Sequence, residues 1–147
     1  MSSEKNKALV SRFHDELWNK QNAAIVDEMC APSYAAFLAG APVGGADGLK
    51  MAAGAWYLAF PDLRFTDEQL VADGGQVAVR WSARVTHTGP LHGPGGTIPA
   101  TNRPAIFTGI GLFTIEDGKI IEQRVELDQL GLMQQLGVIP APTAPVA

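Results

Sequence analysis

The sequence predicts an α+β domain in which three helices cover a strongly curved antiparallel sheet and enclose a pocket for a small, largely apolar molecule. Two observations favour this fold class. Apolar residues recur with a helical period in the first part of the chain and with a strand period from residue 63 to residue 127. Helices and strands are thus segregated along the chain, which is typical of α+β folds. A curved sheet covered by helices leaves a cavity of the kind that binds small molecules.

Three helices are predicted in the N-terminal part. Residues 3–19 place apolar side chains on one stripe and charged side chains on the other, as an amphipathic helix requires. A second helix is predicted over residues 22–29, because Asn22 is a favourable N-cap. A third is predicted over residues 47–60, and it ends before Pro61 because proline disfavours helical geometry in the preceding residue.

The C-terminal part reads as an antiparallel meander. The sequence Asp73-Gly74-Gly75 predicts a tight turn, Asp117-Gly118 predicts a hairpin, and a Gly/Pro-rich loop is expected over residues 89–101. The strands predicted around these turns cover residues 63–71, 76–88, 104–115 and 120–127.

A short last helix is predicted over residues 129–136, with Asp128 as its N-cap and Gly137 as its stop. Residues 1–138 are therefore expected to form a single domain. Residues 139–147 are rich in proline and alanine and are expected to be a disordered tail.

Composition excludes several classes of protein. Hydrophobic residues make up 46% of the chain, too many for a disordered protein. The net charge is −4 and the basic residues are scattered, which argues against nucleic-acid binding. No apolar run is long enough for a membrane span or a secretory signal, so we expect a cytoplasmic protein without membrane contact.

Five short motifs follow one another along the chain. They are Phe60-Pro61-Asp62, Arg80-Trp81, Thr86-His87-Thr88-Gly89, Pro99-Ala100-Thr101-Asn102-Arg103, and Gly118 to Glu122 followed by Asp128 to Gly137. Taken in this order, they resemble the motifs of SnoaL-like polyketide cyclases, and the resemblance covers nearly the whole chain. It implies the cone-shaped fold of nuclear transport factor 2 and ketosteroid isomerase, a homodimer, and cofactor-free chemistry such as aldol ring closure of aromatic polyketides.

The chain departs from this family pattern at the positions of the family's aldol chemistry. By the resemblance, the catalytic Asp of the last strand falls on Val125, and a His two residues earlier falls on Gln123. A further pocket His falls on Gly111, and a polar residue of the first extended segment falls on Ala36. Recognising the fold therefore does not carry the reaction with it.

Four residues are candidates for catalysis, because aldol closure needs a base and a group that stabilises the enolate. Asp128 is the candidate base, with helix capping as its alternative role. His87 is a candidate acid or base, or else a structural residue. Gln123 and Arg80 are candidates for polarising a carbonyl, although Arg80 lies on a strand face that is either pocket or dimer surface.

A larger set of residues is expected to bind the ligand, and its aromatic members have ordinary core packing as their alternative role. The predicted ligand-binding residues are Trp56, Tyr57, Phe60, Tyr34, Val125 and Gly111.

Neither a metal nor a cofactor is predicted. The three histidines lack metal-binding spacing, and His14 and His92 are expected to have no function.

The leading hypothesis is a cofactor-independent enzyme that acts on a bulky, apolar carbonyl compound by proton abstraction and aldol ring closure. Two alternatives stay open at this point. One is a non-catalytic member of the fold that binds a small hydrophobic or aromatic molecule. The other is a divergent homologue that acts as a hydrolase or a hydroxylase.

Overall fold

The computed structural model describes residues 2–93 and 95–141. Within them the chain forms N-terminal helices, a large curved sheet, a small hairpin and a short C-terminal helix, which confirms the predicted α+β class. The elements are α1 (Ser3–His14), α2 (Ile25–Met29), β1 (Cys30–Leu38), β2 (Ala41–Gly44), α3 (Ala46–Ala59), β3 (Arg64–Asp73), β4 (Gln76–Thr86), β5 (Leu91–Gly93), β6 (Gly96–Ile98), β7 (Pro104–Glu116), β8 (Lys119–Leu127) and α4 (Gln129–Leu136).

The first helix has the predicted extent but changes its winding near its end. The Ser2 side chain caps it by accepting a hydrogen bond from the Lys5 amide. After His14 the chain continues as a π-helix over Asp15–Asn19, which is wider than an α-helix. The buried side of this continuous segment packs on the sheet and so brings its side chains to the sheet's concave face.

The second helix is shorter than predicted. It begins at Ile25 after a turn, and its N-cap position is Ala24. The prediction that Asn22 caps this helix is wrong, because the Asn22 side-chain amide donates instead to the Glu16 carboxylate at 3.1 Å. The chain then enters β1 directly at Cys30, a strand that the periodicity did not reveal.

The main sheet has six strands in the order β2-β1-β8-β7-β4-β3. The four predicted strands form its meander, and all neighbours are antiparallel except β1 and β8, which run parallel. The hairpin at Asp117-Gly118 is confirmed, and both residues have the positive φ that such a turn requires (49° and 75°). β5 and β6 form a separate small hairpin inside the predicted loop.

Strict alternation along the central strands separates a buried face from an exposed one. On β4, the side chains of Val77, Val79, Trp81, Ala83 and Val85 are buried, as predicted. This face lies under the helices and forms the core. The opposite face of β4 and β7 is convex and exposed.

Asp128 caps α4 by accepting a hydrogen bond from the Gly131 amide at 2.9 Å, and the helix ends at Gly137 with a φ of 80°, as predicted. Residues 139–141 form neither helix nor strand. The rest of the predicted tail, residues 142–147, lies outside the described residues. None of the helices in the described part of the chain has the length and hydropathy to span a membrane.

Candidate functional site

An apolar cavity of about 90 Å³ lies between the helices and the concave face of the sheet. Its lining comes from α1 and the π-helical turn, from α3, and from every strand of the main sheet. Among the described residues that line it, His14 and Gln123 are those with imidazole or amide groups. The remaining wall is hydrophobic, so a molecule inside it would be largely removed from water.

Aromatic rings form much of the wall. The Phe65 ring stacks on Trp18 with centroids 6.0 Å apart and lies 4.5 Å from the Trp81 ring. A Cβ atom at position 109 would overlap the Trp81 ring, so glycine at this position lets the indole lie against β7. Flat rings arranged in this way suit planar, unsaturated ligands, because offset and edge-to-face contacts between rings are favourable.

His14 lies in this wall and is paired with a carboxylate. Its Nδ1 is 2.8 Å from Asp67 Oδ1. The side chain of His14 is 4% exposed and that of Asp67 is 13% exposed, so the pair is shielded from bulk water. The imidazole also makes edge contacts with Phe65 and Phe113, at centroid distances of 4.8 and 5.2 Å.

A β-bulge decides which way Asp67 points. On β3, Asp67 pairs with Trp81 but Gln69 pairs with Arg80, so Glu68 is an extra residue in the ladder. Before the bulge, Phe65 and Asp67 share the inward face. After it, the phase reverses and Leu70 faces inward. The bulge thus allows a carboxylate and the later apolar residues to face the same interior.

A second polar pair lies on the strand side of the cavity. The Tyr34 hydroxyl donates to Gln123 Oε1 at 2.7 Å, and both residues are buried. Burial raises the pKa of Tyr34 far above its ordinary value, so the phenol stays protonated and remains a donor. Because the phenol occupies Oε1, the Nε2 amide is the group that Gln123 retains for a ligand.

Of the predicted site residues, Trp56, Gln123 and Val125 line the cavity, and Tyr34 lies behind Gln123. Gly111 is buried in β7, with neighbouring side chains within 4 Å of where its Cβ would be.

The predicted aromatics Tyr57 and Phe60 lie outside the lining. The Tyr57 hydroxyl donates to the Leu17 carbonyl, and Phe60 is buried against the rings of Trp56 and His87. Both therefore pack behind the wall and hold the helix layer in place.

The remaining candidates for catalysis also lie outside the lining. Asp128 is an exposed helix cap, and Arg80 is exposed on the convex face. His87 is fully buried, and its Nδ1 accepts a hydrogen bond from the Thr101 amide at 3.2 Å. Burial lowers the pKa of His87, and its Nε2 has no partner among the described residues.

Sequence reasoning therefore missed the pair formed by His14 and Asp67. One signal was present: Val10, His14 and Trp18 follow each other at intervals of four, so the histidine falls on the apolar stripe of the first helix. The position of Asp67 had no comparable signal, because it depends on the bulge at Glu68.

The model of the SnoaL-like polyketide cyclase family matches residues 8–136 of this chain. No match is found among curated proteins.

Solved structures with similar folds come from several streptomycetes. TsrD from Streptomyces laurentii superposes with a TM-score of 0.81 at 27% identity, over 95% of this chain and 99% of TsrD. IdmH from Streptomyces antibioticus, a proposed polyketide cyclase, gives 0.75 at 25% identity, over 90% of this chain and 98% of IdmH. AclR from Streptomyces galilaeus, a proposed hydroxylase, gives 0.82 at 24% identity, over 97% of this chain and 87% of AclR, and shows similarity of fold alone.

Proposed function

This chain belongs to the SnoaL-like polyketide cyclase family, and we propose that it is a cofactor-independent, cyclase-type enzyme acting on a bulky, largely apolar carbonyl compound. The observation that carries the proposal is the cavity, in which aromatic walls surround two side chains, His14 and Gln123, with hydrogen-bonding groups. Apolar pockets with a few convergent polar groups are typical of sites that orient a small molecule.

The chemistry follows from what such a site offers a carbonyl compound. An amide N–H of Gln123 can donate a hydrogen bond to a carbonyl oxygen and stabilise the negative charge that develops there, and a dry cavity strengthens that interaction. Removal of a proton next to the carbonyl then gives an enolate whose carbon attacks a second carbonyl of the same molecule. The product is an isomer of the substrate, so the ring closure needs no oxidant, reductant or cofactor.

One observation favours the alternative of a protein that binds without catalysis. The position of the family's catalytic Asp is Val125, which lines the cavity as a plain hydrophobic residue. A protein that holds but does not transform its ligand would retain the aromatic wall and lose such a base.

Proton NMR of an aromatic β-keto ester with the purified protein in deuterated water tests these alternatives. We expect the α-proton signal to disappear faster than in buffer alone. Broadening of the ligand signals without faster exchange would favour the binding protein and contradict the enzyme. A product 16 mass units heavier would indicate hydroxylation.

A matched pair of variants connects the activity to the cavity. Ala52 lines the cavity on α3, and the neighbouring Met51 is exposed on the same helix. Ala52→Phe should fill the cavity and abolish both broadening and exchange, whereas Met51→Phe should leave both unchanged. Equal exchange by the two variants would mean that the reaction takes place elsewhere.

The convex face of the sheet supports the homodimer that the family resemblance implies. Ile106 and Ile110 are 56% and 51% exposed on β7, and Ile110 lies in register between Arg80 and Glu126. An apolar centre flanked by both signs of charge can pair with a copy of itself across a two-fold axis. Sedimentation at micromolar concentration should give a dimer. Ile110→Glu should give a monomer, and Met51→Glu on the helix layer should not.

A further inference from the structure

We propose that His14 is the general base of this cavity and that Asp67 is the residue that positions it. The proton-removing group would then lie on the helix side of the cavity and not on the last strand, where the family pattern has it. The substrate class is a β-dicarbonyl compound that carries a further carbonyl group and an aromatic or otherwise planar apolar portion. This inference rests on the proposed function, since it names the base and the substrate class of the same site.

The contact with Asp67 decides which nitrogen of His14 carries the proton. An ionised carboxylate accepts hydrogen bonds and cannot donate them, so the 2.8 Å contact requires a proton on Nδ1. The lone pair of the neutral ring is then on Nε2. No partner for Nε2 occurs among the described residues, and the ring lines the cavity. A basic lone pair is thus available to a molecule bound there.

The ring is held in this orientation by its surroundings. Phe65 and Phe113 contact it at 4.8 and 5.2 Å, with interplanar angles of 64° and 67°. These edge-to-face contacts and the hydrogen bond to Asp67 fix both the tilt and the tautomer of the imidazole. A base held in this way needs little reorganisation when the substrate binds.

A purely structural role accounts poorly for this pair. Desolvating a carboxylate is costly, and apolar residues of similar volume often replace buried polar pairs without loss of stability. The wall around His14 is already aromatic, so a further hydrophobic ring would pack there without needing a carboxylate. Among the described lining residues, His14 is also the one side chain with a basic lone pair. The positions of the family's catalytic Asp and of its His two residues earlier are Val125 and Gln123 in this chain.

The proposed step is balanced in protons and electrons. Nε2 of His14 takes the proton from the carbon between two carbonyls, and the C–H electron pair becomes the enolate. The Gln123 amide stabilises the enolate oxygen while Tyr34 holds that amide through Oε1. The imidazolium is stabilised by Asp67. The enolate carbon then forms a C–C bond to the carbon of a third carbonyl group in the same molecule, and the π electrons of that carbonyl move to its oxygen. The imidazolium returns its proton to the resulting alkoxide.

The first test is deuterium exchange of ethyl benzoylacetate by His14→Asn. The asparagine amide keeps an N–H near the position of Nδ1, so Asp67 keeps a donor, but the lone pair on the cavity side is lost. We expect exchange to fall by roughly 100-fold or more, as is usual for loss of a general base. Added imidazole should restore part of the rate, whereas it would not correct a merely structural defect.

The outcomes separate the two proposals. If the wild type exchanges the probe and His14→Asn exchanges it equally fast, the base is wrong and the proposed function stands. If the wild type binds the probe without exchange, the proposed function fails and the base fails with it. If His14→Asn does not fold, ¹⁵N NMR of the wild-type histidine decides the matter, since a proton on Nε2 of His14 would overturn the inference.

Discussion

Two regions of this molecule each bury a histidine, and they use the same side chain in opposite ways. In the cavity, His14 donates through Nδ1 to Asp67 and keeps its lone pair on the open side of the ring. At the end of β4, His87 accepts at Nδ1 from the Thr101 amide, so its proton is on Nε2 inside the core. The partner of Nδ1, and not burial, distinguishes a ring suited to take a proton from a ring that anchors a loop.

The largest expected effect is that of changing the partner of His14. In Asp67→Asn the amide N–H can donate to Nδ1, which would move the proton to Nε2 and remove the lone pair from the cavity. We expect deuterium exchange to fall by about 100-fold, which corresponds to about 2.7 kcal/mol of activation free energy. Exchange rates and KM measured together would separate this loss from weaker binding, because the wall that contacts the ligand is unchanged.

The corresponding change at His87 should act on stability alone. Thr101→Val removes a hydroxyl 3.0 Å from His87 Nδ1 and leaves the backbone donor in place. We expect the free energy of unfolding to fall by about 1 kcal/mol, the usual contribution of one hydrogen bond, with exchange activity unchanged. Urea denaturation and the NMR assay check the two parts. A large loss of activity would contradict the division of roles between the two histidines.

A variant of Asp128 tests whether this carboxylate or His14 is the base. Its Oδ1 accepts from the Gly131 amide, and the residue is an exposed cap. Asp128→Ala should therefore lower the free energy of unfolding by about 1 kcal/mol and leave exchange at the wild-type rate. If exchange is lost while α4 remains folded by circular dichroism, Asp128 is the base and the assignment to His14 is wrong.

The smallest expected effect is on the pH dependence of stability. Burial lowers the pKa of His87 below its ordinary value of 6.5, so the unfolded chain takes up a proton more readily than the folded protein. This contribution to stability is complete above pH 6.5 and is lost as the pH falls toward the lowered pKa. Urea midpoints should decline from pH 7 toward pH 5. His87→Gln should have a flatter profile, and an unchanged slope in that variant would exclude His87 as the cause.

Much of the fold was predictable because its signals are local. Alternation along β4, the turn at Asp117-Gly118 and the cap at Asp128 each involve neighbouring residues. The strand β1 was missed because Pro32 interrupts it and alanines weaken its alternation, while its register is fixed by β8, some ninety residues away.

The candidate site was less predictable because its decisive contact is not local. His14 and Asp67 are 53 residues apart, and Asp67 faces inward only in the phase that holds before the bulge at Glu68. The inward positions of Phe65 and Leu70 conflict in phase, which indicates a bulge but not its location. His87, by contrast, lies within the motif Thr86-His87-Thr88-Gly89, which can be recognised from the sequence alone.

Nitrogen-15 NMR of the imidazole groups in the wild-type protein near pH 7 shows which nitrogen of each ring carries the proton. We expect opposite tautomers in the two buried rings, with the proton on Nδ1 in His14 and on Nε2 in His87. Observing this pair of tautomers would establish a basic lone pair on the cavity side of His14. A proton on Nε2 of His14 would contradict the assignment of His14 as the base, because that ring could then accept no proton from a bound substrate.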